Sequence, residues 1–200
     1  MVLGLAGFAG GVAALWIRPA VALRPHTVRT GDAPCTVRER FRRQLEVHGD
    51  IVATDGQRIV ARFAGEAGMF RYHTVELVSF LPDAVTFEHL RGPFNECRER
   101  FHVTPGPGGG SVVTHDGTFT MPLGLLGWLL GVTVVRPTFE RHVAAHMAQH
   151  LSTDGRMIRR ARRRQIRAPT AWPLYGASLH SQGRRAAALR AAGYADVDEP

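Results

Sequence analysis

The chain of 200 residues suits one domain with appendages, and 44% hydrophobic content is enough to bury a core, which excludes disorder throughout. Its net charge of +8 is unevenly placed: from Arg156 onward ten arginines stand against Asp196, Asp198 and Glu199, a net of +7, so the body is nearly neutral. The basicity belongs to the C-terminal tail, which argues against a folded domain that grips nucleic acid.

The first residues differ in kind from the rest. Val2 to Ile17 carry no charge, and if Arg18 snorkels the apolar stretch runs on through Pro19 to Leu23, long enough to cross a bilayer. Ala20-Val21-Ala22 has the form of a small-x-small cleavage site, yet no basic residue precedes the run as a secretory signal requires. Residues 1–25 are therefore read as a single-pass anchor, with a cleaved signal or a buried segment as alternatives. Arg18, Arg24 and Arg29 all follow the span, which places the domain on the cytoplasmic side. Gly7 and Gly11 form a G-x-x-x-G pair through which two such helices would meet as a homodimer.

Thr27 to Thr30 reads as a short strand, and "GDAPCTVRERFRRQL" as a helix with Val37, Phe41 and Leu45 on its apolar face. From Asp50 the texture changes to strands separated by turn signals: "DIVA", "QRIVARF", "FRYHTVELVSFL", "AVTFEHL", "NECRERFHV" and "SVVTHDGTF". The connections are too short for parallel crossovers, so an antiparallel sheet of five to seven strands is expected. Alternation puts Val85, Phe87 and His89 on one face, as it does Val113, His115, Gly117 and Phe119. On the strand between them, Glu96, Arg98, Arg100 and His102 share a face that reads as an outward charge ladder. "PGPGGG" at Pro105 to Gly110 leads into a strand rather than a helix, so it is a hairpin connection and not a phosphate loop. The uncharged "PLGLLGWLLGVTVV" is too short to span at about 1.5 Å per residue. It is a covered segment, a lid, or a shallow membrane contact.

The final helix, from near Pro137, carries His142, His146 and His150 at four-residue spacing beside Phe139, Val143, Met147 and Leu151. The missing acidic partner of a zinc helix motif argues against a metal centre on that stripe, and Cys35 and Cys97 read as free thiols. Neither a metal nor a cofactor is expected.

The order of these elements, with "TFEHLRGPF", "NECRERFHVTPGPGGGSVVTHDGTF", the apolar glycine-rich link and "RPTFERHVAAHMAQHL", resembles the START-like (SRPBCC) superfamily, polyketide cyclase/dehydrase-type members in particular, over residues 27–151. The helical region between the first two strands is compressed relative to that family. The resemblance implies an α+β helix-grip fold, an antiparallel sheet wrapped around the long C-terminal helix, here with an N-terminal transmembrane helix added. The implied organisation is an anchor at 1–25, a START-like ligand-binding domain at 26–155, and a basic, disordered tail at 156–200. It also implies a cavity between sheet and helix for an apolar small molecule, a lipid, isoprenoid or polyketide-like compound. Its lining would come from Val85, Phe87, His89, Val113, His115, Phe119, Phe139, His142, Val143, His146 and Met147. A cyclase, aromatase or dehydratase is the alternative, with His89 and His115 as the candidates for acid-base chemistry. Arg156 to Arg167 holds seven arginines that would attract an anionic leaflet, a second membrane contact.

Overall fold

The computed structural model describes residues 19–67 and 70–151. The span up to residue 18, with Gly7 and Gly11, and the arginine-rich tail lie outside the described residues. Among those described, no helix is long and apolar enough to cross a membrane.

Eight antiparallel strands among the described residues form one sheet: β1 (Val21–Ala22), β2 (His26–Thr30), β3 (Asp50–Asp55), β4 (Arg58–Ala67), β5 (Phe70–Phe80), β6 (Ala84–Arg91), β7 (Glu96–Pro105) and β8 (Ser111–Thr120). The order is β1-β8-β7-β6-β5-β4-β3, and β2 also pairs with β8. Strand β1 goes beyond the expected sheet and corrects the reading of residues 19–25 as the end of a membrane span. Val21 pairs with Phe119, and Val21 and Leu23 are buried with Phe94, Cys97 and Phe119. Side chains committed to a protein core cannot also face acyl chains, so Val21 and Leu23 belong to the folded core.

Helix α1 (Pro34–His48) starts on a proline, whose missing N–H costs nothing in a first turn. It buries Val37, Phe41 and Leu45 and leaves its arginines outside. Helix α2 (Gly124–Leu130) runs through a π-helical turn (Gly131–Val135) into α3 (Arg136–Leu151). Helices α1 and α3 cover the inner face of the sheet, where Val37, Phe41 and Leu45 meet Val78, Val85, Phe101, Val113, Val143 and Met147. The Pro105–Gly110 segment is the β7–β8 hairpin connection, as expected.

The apolar link is where the structure departs most from burial. In α2 and the π turn the buried residues are Gly124, Gly127 and Gly131, while Leu126 is 65% and Leu129 52% exposed. Glycine allows this backbone to press close: a Cβ on Gly127 would collide with the Pro122 carbonyl oxygen, and one on Gly131 would crowd Val21, Phe119 and Met121. The small residues face inward and the leucines, with half-exposed Trp128, face out.

Candidate functional site

Between the two apolar clusters the inner face of the sheet turns polar. Register places Glu76 of β5 opposite His89 of β6, and alternation along β7 turns Cys97 and Glu99 to the same side. On β8, His115 pairs with Phe101 and Gly117 with Glu99. A Cβ at Gly117 would crowd the Arg98 carbonyl oxygen and the Leu23 side chain, so a bare backbone keeps this row close.

Hydrogen bonds and one longer ion-pair contact, between His89 and Glu99, form a chain. Thr74 Oγ1 donates to Glu76 Oε1 at 2.7 Å. His89 Nε2 lies 3.0 Å from Glu76 Oε1 and 4.0 Å from Glu99 Oε1. His115 Nε2 lies 3.0 Å from Glu99 Oε2. All these side chains are nearly shielded from solvent. Burial alone depresses the basicity of His89, but the hydrogen bond to Glu76 and the charges of Glu76 and Glu99 outweigh it and hold its pKa above the ordinary histidine value. Burial, and then the charges of Glu99 and Glu76, push the Cys97 thiol well up. The Tyr72 phenol is raised by its burial and by the same two carboxylates.

This chain ends at His115, which borders a cleft while itself staying buried. An open cleft of about 610 Å³ is lined by Arg24, Pro25 and His26 on one side and Pro137, Glu140, Arg141, Val143 and Ala144 of α3 on the other, with His115 at its floor. Glu140 Oε1 accepts a hydrogen bond from the Arg24 backbone N–H at 2.9 Å and ties the two walls together. The volume falls in the range of small-molecule sites.

The eleven residues expected to line a cavity separate into groups. His115 and Val143 line the cleft. Val85, Val113 and Met147 are wholly buried in the main core, Phe87 packs against it, and Phe119 belongs to the second cluster. Phe139 bridges both clusters and stacks on Phe119 with ring centroids 6.3 Å apart. His89 lies behind the cleft. Among the described residues the space beside α3 is an open cleft, and Met147 is buried in the core rather than lining it.

The histidine stripe flanks the apolar face of α3, and neither His142 nor His146 lines the cleft. His142 is exposed, and His146 points at α1, where its Nε2 lies 3.2 Å from Gln44 Oε1. Each histidine precedes a core residue by one position, a rotation of about 100° that carries it off the sheet-facing side. Burial, and then the neighbouring His150, His142 and His48, lower the His146 pKa to about 4.

Sequence reading missed Glu76, Cys97 and Glu99, and the signal for two of them was available. With Glu96, Arg98 and Arg100 facing out, the residues between them must face in. The outward ladder is present, with Arg98 3.4 Å from Glu88 and Arg100 3.8 Å from Asp83.

No protein-family model matches the chain, and no curated protein matches it. Solved structures do. A protein from Thermus thermophilus, TTHA0849, is similar at 18% identity over 64% of this chain and 90% of its own, with a TM-score of 0.53. The Zhui aromatase/cyclase from a Streptomyces species is similar at 11% identity over 66% of this chain and 95% of its own, with a TM-score of 0.51. The described residues, an antiparallel sheet with a long C-terminal helix, thus share the fold of these two structures.

Proposed function

We propose that the chain is a membrane-tethered START-like module that takes up an apolar small molecule, a lipid, isoprenoid or polyketide-like compound, in the cleft between β2 and α3. The observation that carries this reading is His115, only 2% exposed yet at the floor of a cleft of ligand size. A hydroxyl or carbonyl of the molecule meets the imidazole, while Pro25, Pro137, Val143 and Ala144 supply apolar wall and Arg24 and Arg141 a polar rim. Native mass spectrometry of the full chain in detergent, purified from its own source, tests it. A co-purifying apolar molecule that is lost in Ala144→Trp supports the reading, and retention of that molecule in Ala144→Trp removes it from this cleft.

An enzymatic reading is favoured by one specific contact, the His115–Glu99 hydrogen bond. A carboxylate behind an imidazole orients the ring and steadies its protonated form, the arrangement general acid-base catalysis requires. A cyclase-, aromatase- or dehydratase-type step would then lose turnover in Glu99→Gln by far more than it loses ligand affinity.

Tethering rests on the uncharged run from Val2 to Ile17, which ends close to β1. Val21 of β1, the first strand after that run in the sequence, lies against Gly131 next to the outward leucines of α2. An apolar surface of this kind fits shallow insertion into a bilayer. Carbonate extraction of the full chain tests it: release into the wash removes the tether.

A further inference from the structure

We propose that His89, Cys97 and Glu99 form a site for one divalent cation of the zinc class on the inner face of the sheet, with Glu76 beside it as the hydrogen-bond partner of His89. The ligand atoms of the first three lie within 4.8 Å of one another. Glu76 Oε1 lies 3.0 Å from His89 Nε2. Tetrahedral zinc with bonds of about 2.0 to 2.3 Å holds its donor atoms roughly 3.3 to 3.8 Å apart, so small side-chain rotations suffice. The three donors sit on the adjacent strands β6 and β7 with their side chains on the inner face.

Charge argues in the same direction. Two carboxylates share a region shielded from water, and buried carboxylates are costly unless positive charge accompanies them, a demand that a cation meets more fully than the His89 imidazole alone. The donor types select the metal: a sulfur and an imidazole suit zinc, whereas magnesium and calcium require oxygen donors. Outer contacts are in place as well. Thr74 Oγ1 holds Glu76, and His115 Nε2 holds the second oxygen of Glu99, the support that orients metal-binding carboxylates. The four-residue histidine stripe offers nothing comparable, since His142 is exposed and His146 is directed at Gln44.

Coordination has a definite proton balance. Cys97 gives up its thiol proton to bind as thiolate, and His89, where protonated, gives up the proton now shared with Glu76. Up to two protons leave per cation, and affinity falls as pH falls.

The test uses the full chain in detergent, stripped with a chelator and titrated with Co²⁺. Saturation at one ion per chain is expected, with a thiolate-to-cobalt charge-transfer absorption that Zn²⁺ displaces. Cys97→Ser abolishes that absorption, and His89→Gln and Glu99→Gln weaken binding roughly tenfold or more, while His150→Ala leaves it unchanged. Glu99→Gln preserves side-chain shape and keeps the test decisive even where Cys97→Ser folds poorly. Absence of saturable binding, or binding undiminished in both Cys97→Ser and Glu99→Gln, overturns the site. Neither readout depends on an apolar ligand, so the cleft reading stands or falls separately.

Discussion

Glu99 and His115 meet at 3.0 Å although they are not register partners; Glu99 pairs with Gly117 and His115 with Phe101. The contact runs diagonally across β7 and β8, and the absence of a side chain at Gly117 leaves it room. Gly117→Ala forces a methyl group toward the Arg98 carbonyl oxygen and the Leu23 side chain. It should cost on the order of 1 to 3 kcal/mol in urea denaturation and displace the His115 ring resonances in NMR spectra. Unchanged stability would show that the sheet yields here at little cost.

Glu76 decides the basicity of His89. Burial lowers it, and the hydrogen bond and charge of Glu76, with the charge of Glu99, reverse the sign. In chelator-treated protein the His89 ring should titrate above 6.5 by NMR, and Glu76→Gln should move that titration down. Because the folded pKa is raised, this pair stabilises the fold fully below the unfolded value, and its contribution is lost as pH rises through the folded one. The pH dependence of melting in Glu76→Gln should lack that decline.

His146 runs the opposite way. Its folded pKa is about 4 against an ordinary value of 6.5, so the folded state resists a proton that the unfolded chain accepts. Its contribution is present above 6.5 and declines as pH falls towards 4. The melting temperature of the native chain should drop across that interval by more than that of His146→Gln, and identical profiles would refute the assignment.

Trp128 sits on the outward side of α2 among exposed leucines. The other two tryptophans, Trp16 and Trp172, are replaced by phenylalanine so that Trp128 reports alone. Its emission should shift to the blue on addition of vesicles and be quenched by brominated acyl chains, and Leu126→Ser with Leu129→Ser should reduce both effects. Emission indifferent to lipid would end the case for α2 as a membrane contact.

Local pattern by itself determined the strands, the amphipathic helix with Val37, Phe41 and Leu45 inward, the β7–β8 hairpin and the helix-grip order, because each depends on a period of two or 3.6 residues and on turn chemistry. Alternation even carried the inward position of Cys97 and Glu99, through the outward ladder beside them. Three features depended on tertiary placement. Val21 became a strand residue because the edge of β8 had backbone groups to pair with it, a partner invisible to hydropathy. His146 of α3 turned toward α1 because the rotation of a helix is set by what packs on it, and Phe139, Val143 and Met147 took the sheet. The α2 segment put its glycines in and its leucines out because close backbone approach to Pro122, Val21 and Phe119 admits no side chain, a steric condition set by residues distant in the chain. The chain Thr74–Glu76–His89–Glu99–His115 is assembled the same way, from four strands whose register only the folded sheet fixes.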